Sequence, residues 1–194
     1  MQHFSQAHVT QSALDFWFGA PSHAEYGKPR ALWFTKNPEF DAQIHDQFKD
    51  WIEMAASGQW DDWAADPNSA LALIILLDQF PRNAFRGQAK SFAFDNKALA
   101  LAKSAIAAGH DQKLPIFMRS FFYLPFEHSE ALADQHEAVR LFKQLDDGGM
   151  GLEWAIKHLN IIERFGRFPH RNAILGRVST AEELAFLQEP GSSF

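Results

Sequence analysis

At 194 residues, with 46% hydrophobic residues and 19 Phe beside 6 Trp, the chain has enough apolar mass for a buried core and is no disordered segment. It contains no cysteine, which excludes disulfides, thiolate metal sites and cysteine nucleophiles. The net charge of -6 argues against non-specific nucleic-acid binding, and the longest apolar run, the eight residues Ala70 to Leu77, is too short to cross a bilayer.

The start, MQHFSQAHVT, has neither the basic residues nor the apolar stretch of a signal peptide, so a cytoplasmic location is expected. Thr10 to Phe18 reads as a short helix stopped by Gly19, and Pro21 to Pro29 as a loop. Asn37-Pro38-Glu39 has the form of an N-cap, a first-turn proline and a first-turn acid. The helix it opens carries Phe40, Ile44, Phe48, Trp51, Ile52 and Ala55 at three- and four-residue spacing and stops at Gly58. Asp66-Pro67 repeats the start signal for a helix that is apolar almost all round and therefore central. Proline disfavours helical geometry in the residue before it, so this helix should end near Phe80-Pro81.

Further helices are expected over Ser91 to Ala108, Pro115 to Tyr123 (cut by Pro125), Ser129 to Leu145 (ended by Asp146-Asp147-Gly148-Gly149), Leu152 to Phe165 and Thr180 to Gln188. For the last, Ser179 and Glu182 have capping-box spacing. The pattern predicts an all-α chain, one domain over 1–194, with about eight or nine helices stacked as antiparallel hairpins. One motif echoes: Phe80-Pro81-Arg82-Asn83-Ala84 returns as Phe168-Pro169-(His170)-Arg171-Asn172-Ala173.

Polar residues crowd into three segments. In the first, Asp78 and Gln79 close an apolar helix and are followed by Arg82, Asn83 and Arg86. A polar group there needs a partner or a role, and arginine offers a planar fork for carboxylate or phosphate. In the second, Arg119, Tyr123, Glu127, His128, Ser129 and Glu130 follow one another, and the last four are expected at the start of a helix. His128 could serve there as an acid–base group oriented by a carboxylate, whereas Ser129 and Glu130 also suit a helix N-terminus as cap and first-turn acid. In the third, four of the nine arginines fall between Arg164 and Arg177 without one Asp or Glu. So dense a run of like charge calls for anions nearby, either the chain's own carboxylates or a ligand. His158, on an apolar helical stripe, reads first as a hydrogen-bonded core residue. No metal-ligand spacing of the di-iron bundle type is present, and no cofactor motif is seen.

These three segments, Asp78 to Asn83, Leu124 to Glu130 and Arg164 to Asn172, completed by Leu175 to Thr180, resemble domain-of-unknown-function family 924, a family of bacterial proteins. The resemblance extends from Phe16-Trp17-Phe18-Gly19 to Glu183. It implies a tetratricopeptide-like helical superhelix and brings no established reaction with it.

Three uses of the polar segments follow. The first is a small-anion site with Arg82, Arg119, Arg167 and Arg171 holding the anion, Asp78, Asn83, Tyr123, His158, His170 and Asn172 lining it, and His128 with Glu130 or Glu127 as acid–base pair. The second is a protein- or peptide-binding module. The third is an internal ion-pair network that locks helix ends together.

Overall fold

The structure, a computed structural model, describes residues 4–24, 26–145 and 148–193. Among these the chain is all-helical, without strands. Helix α1 (Gln6–Phe18) begins before the expected Thr10, because the Ser5 hydroxyl accepts from the His8 N–H and caps it. Arg30 donates from Nη1 to the carbonyls of Phe16 and Trp17, both at 2.7 Å, and so satisfies the last turn of α1. Helix α2 (Pro38–Ala56) opens at the Asn37 cap, which accepts from the Glu39 and Phe40 N–H groups.

The central helix does not end at Phe80-Pro81. Helix α3 (Pro67–Ile74), capped by Asp66, runs into a π-helical turn (Ile75–Gln79) and on into α4 (Phe80–Ala84) as one rod. Pro81 has no N–H for the carbonyl of Leu77, and its ring would crowd that carbonyl in an α ladder. The wider π turn absorbs this conflict and leaves Pro81 in the first turn of α4, where a missing N–H costs little. Burial compensates: Ala70 to Leu77 and Phe80 are each no more than 2% exposed. Phe80 is the hub of the core, with ring centroids of Phe48 at 4.7 Å and Trp17 at 5.6 Å.

Helix α5 (Asp95–Ala107) starts later than Ser91, after the 3-10 turn Ala89–Phe92. Helix α6 (Ile116–Glu127) carries on through Pro125 instead of being cut by it. The proline lies near the C-terminus, where few ladder bonds follow it, and Phe121, Phe122 and Phe126 beside it are buried. As a result Glu127 ends α6 and His128 is its C-cap, so neither stands at a helix N-terminus. Buried Gln135 closes that end by donating to the carbonyls of Glu127 and Ser129, both at 2.6 Å.

Helix α7 (Leu132–Gln144) starts beyond Ser129, whose hydroxyl instead donates to Asp134 and accepts from the Ala131 N–H. Of the stop expected for α7, Asp146 and Asp147 lie outside the described residues, and Gly149 caps α8 (Met150–Phe165) in the left-handed region at φ 85°. Gly166, at φ 68°, ends α8. Helix α9 (Ala181–Phe186) has its capping box one residue later than expected, between Thr180 and Glu183. Helix α5 packs on α6, α6 on α7 and α7 on α8, and α3 packs on α1, α5 and α6. No helix among the described residues is long and apolar enough to cross a membrane.

Candidate functional site

The π turn presents Asp78 to the end of α6. Asp78 is fully buried, and its Oδ1 lies 2.7 Å from His128 Nδ1. Gln79 Nε2 donates to the other oxygen at 2.5 Å, and Arg82 Nη1 stands 3.4 Å from Oδ1. Burial alone would raise the Asp78 carboxyl, but the Arg82 charge and the bonds from His128 and Gln79 hold it below the usual carboxylate range. Since an ionised carboxylate only accepts, Nδ1 of His128 carries the proton and Nε2 the lone pair. Burial and Arg82 together lower His128 in spite of Asp78. The side chain retains 14% exposure.

Glu127, next in sequence, behaves oppositely. It is 2% exposed, its Oε1 has no partner, and its Oε2 lies 3.5 Å from His158 Nδ1. Burial and then the Asp78 charge push this carboxyl well above its ordinary value. His158 comes from α8, with Nδ1 2.9 Å from the Trp154 carbonyl oxygen, and burial drives its imidazole down to about 3. Its ring lies 6.2 Å from that of His128. Two carboxyls shifted in opposite directions, each beside a histidine (Asp78 by His128, Glu127 by His158), are a pattern seen at acid–base sites.

The two echoing turns meet on one carboxylate. Arg82, from the first, grips Asp95 with Nη1 and Nη2 at 3.0 Å each, and Arg171, from the second, reaches Asp95 Oδ2 with Nη1 at 3.3 Å. Arg171 is 6% exposed, its guanidinium lies over the rings of Phe92 and Phe168 (4.6 and 4.5 Å), and its Nε is closed off from solvent without a partner. Burial and the neighbouring Arg82 lower it to about 10. His170, on the same turn, falls to about 4 through burial and the Arg171 charge.

Other expected residues serve other contacts. Glu130 does not orient His128: it accepts from the Phe168 N–H at 2.8 Å and pairs with both Nη atoms of Arg177 at 2.7 and 2.9 Å. Arg167 grips Glu183 of α9 at 2.6 and 2.8 Å, and Asn172 donates to Ser179 and accepts from Arg177. Arg119 donates to the carbonyls of Asp111 and Leu114, while Tyr123 donates to the Asp111 carboxylate at 2.7 Å. Asn83 donates to Asp41, which also takes a two-point grip from Arg86. The cluster that assembles is therefore Asp78, Arg82, Glu127, His128, His158 and Arg171, with His170 beside it.

Asp95 and Phe92 border this cluster and carry no sequence signal for it, whereas Phe168 opens the second echoing turn. A first-turn acid such as Asp95 reads as an ordinary partner of the helix dipole. Two surface grooves lie elsewhere: one of about 710 Å³ is bounded by Ser5, Thr10, Asp15, Asp66 and Ser69. The other, about 410 Å³, touches only Asn83 of the expected residues. The described residues hold no group of three or more His, Asp or Glu arranged for a metal ion.

Fold and cluster together define an all-helical protein with a buried histidine–carboxylate–arginine centre. The chain belongs to the family described as bacterial protein of unknown function, DUF924, whose profile matches residues 13–191. It is similar to a solved structure titled protein of unknown function ATU0120, from Agrobacterium tumefaciens, with 44% identity and a TM-score of 0.85. The likeness spans 95% of this chain and 99% of that one. No curated protein matches.

Proposed function

We propose that the Asp78–His128–Arg171 cluster binds a small anionic molecule, with Arg171, backed by Arg82, as the anion-holding group. His128, oriented by Asp78, is the acid–base group if the ligand is turned over. The unit that carries the site is the whole chain, 1–194, read as one helical domain. The succession of α5 to α8, each packed on the next, supports a tetratricopeptide-like stacking of its helices.

The carrying observation is Arg171. Among the described residues this buried cation has one hydrogen bond, at 3.3 Å, although a guanidinium offers five N–H donors. An internal lock would be expected to satisfy its members, as Arg167 with Glu183 and Arg177 with Glu130 do. For those two pairs the ion-pair-network reading is the better one, because each bond joins the C-terminal segment to the body. Single buried polar atoms without partners also occur at Trp17, His110, Glu127 and Gln135, but Arg171 is the one guanidinium among them.

A thermal-shift screen with carboxylated and phosphorylated small molecules tests the proposal. At least one compound should stabilise the wild-type protein and not Arg171→Ala. A screen silent on the wild type removes the reading.

A further inference from the structure

We propose that the anion taken by Arg171 is the carboxylate of a small organic acid, docked edge-on to the guanidinium beside Asp95. This rests on the reading of the cluster as an anion site and narrows it to one chemical class.

The argument begins with what already occupies the arginines. Asp95 meets Arg82 as two parallel bonds of 3.0 Å, the planar fork-to-fork arrangement that suits a carboxylate. Arg171 touches the same carboxylate only from one side, at 3.3 Å. Asp95 therefore fills the fork of Arg82 and leaves that of Arg171 largely unused. Solvent reaches the edge of this pair, since the Asp95 side chain is 14% exposed, that of Arg82 19% and that of Arg171 8%.

The surroundings of Arg171 then select the shape of the anion. Its guanidinium lies over the faces of Phe92 and Phe168, and the face of an aromatic ring is the negative part of its quadrupole. This favours the cation and repels anionic oxygens that leave the guanidinium plane. A carboxylate can lie in that plane with both oxygens on the fork. A phosphate is tetrahedral, so two-point binding directs its remaining oxygens out of the plane, toward the rings.

Charge points the same way. Asp78 and Asp95 balance Arg82 and Arg171 within the cluster, so any ligand adds its own charge uncompensated. A monocarboxylate adds one negative charge, which a proton on the unoccupied lone pair of His128 could offset. A phosphate dianion adds two, and the cost of burying charge rises accordingly.

The test is a thermal-shift titration of the full chain with sodium acetate and with sodium phosphate at matched ionic strength, on wild type and on Arg171→Lys. The lysine keeps the charge and loses the planar fork. Acetate should stabilise the wild type saturably, phosphate should not, and Arg171→Lys should bind acetate about tenfold or more weakly. Phosphate stabilising as strongly as acetate overturns the carboxylate assignment while the anion site stands. Silence from both anions removes the site as well. An undiminished acetate response in Arg171→Lys puts acetate elsewhere and overturns the assignment to Arg171. If that variant does not fold, backbone amide shifts of the wild type decide: acetate must move the signals of Phe168 to Asn172, and their stillness refutes the proposal.

Discussion

Oδ1 of Asp78 lies 2.7 Å from Nδ1 of His128, so one short bond joins the π turn of the central rod to the end of α6 across a sequence separation of 50. Asp78→Asn keeps the shape and removes the charge that both His128 and Arg82 face. It should cost about 3–5 kcal/mol, the usual penalty for removing one partner of a buried pair. Because Asp78 raises both His128 and Glu127, both should titrate lower in the variant. Chemical denaturation and an NMR titration of the two side chains check this; unchanged titration would mean the charge is not felt.

Glu127→Gln should stabilise the protein at neutral pH. The folded carboxyl holds its proton above the pH at which the unfolded one, near 4.5, has lost it. The wild type therefore loses stability as pH rises through that window, at up to about 1.4 kcal/mol per pH unit. The glutamine does not titrate, so its advantage should grow from pH 5 upward and vanish near pH 4. Paired urea melts across that range measure it.

Acid should act through the buried histidines. His158 at about 3 and His170 at about 4 bind protons less readily than unfolded imidazoles at 6.5. Stability is thus complete above about 6.5 and falls as the pH drops from there toward 4, with each histidine contributing up to about 1.4 kcal/mol per pH unit. Glu127 opposes this loss, because it gains stability on acidification. The decline should accordingly be steeper in Glu127→Gln, and a flat profile between pH 6.5 and 5 in that variant would contradict the histidine assignment.

The C-terminal segment should loosen when Arg167 is cut back. Arg167 holds Glu183, whose carboxyl is pulled down to about 2 chiefly by that bond, and it also reaches the Val178 carbonyl at 2.9 Å. Arg167→Ala should speed amide exchange and proteolysis over residues 178–193. Arg164→Ala should not, because the Arg164–Glu182 pair is exposed on both sides and such pairs contribute little. Equal effects from the two variants would exclude the special role of Arg167.

Helix existence was largely legible in the sequence, since caps and apolar periodicity are local. Local rules fail where tertiary packing overrides them. Pro81 and Pro125 both read as stops, yet the burial around each outweighs the lost ladder bond, by way of a π turn at one and a late helix position at the other. The capping box slid from Ser179 to Thr180 because Glu183, not Glu182, is held by Arg167, and Ser179 is held by Asn172. At the candidate site, Asp78, Arg82, Glu127, His128, His158 and Arg171 were readable as polar residues in odd places. Asp95 was not, since nothing in its own segment separates it from any other first-turn acid. Nor could the sequence say that Glu130 would face Arg177 and leave His128 to a residue on another helix.

The π turn has a consequence for how the chain tolerates change. Relative to an α ladder it behaves as one inserted residue, which offsets everything downstream by roughly 100° of rotation about the axis. It thus acts as a phase shifter in the central rod: the aliphatic residues before it and Arg82 after it keep angular positions that an unbroken α-helix would not combine. Length, and not only composition, is constrained over Ile75–Gln79. Many side-chain swaps there alter a contact, whereas deleting one of Ile75, Leu76 or Leu77 would shift Asp78 relative to His128 and turn Arg82 away from Asp95 without changing the identity of any residue in the cluster.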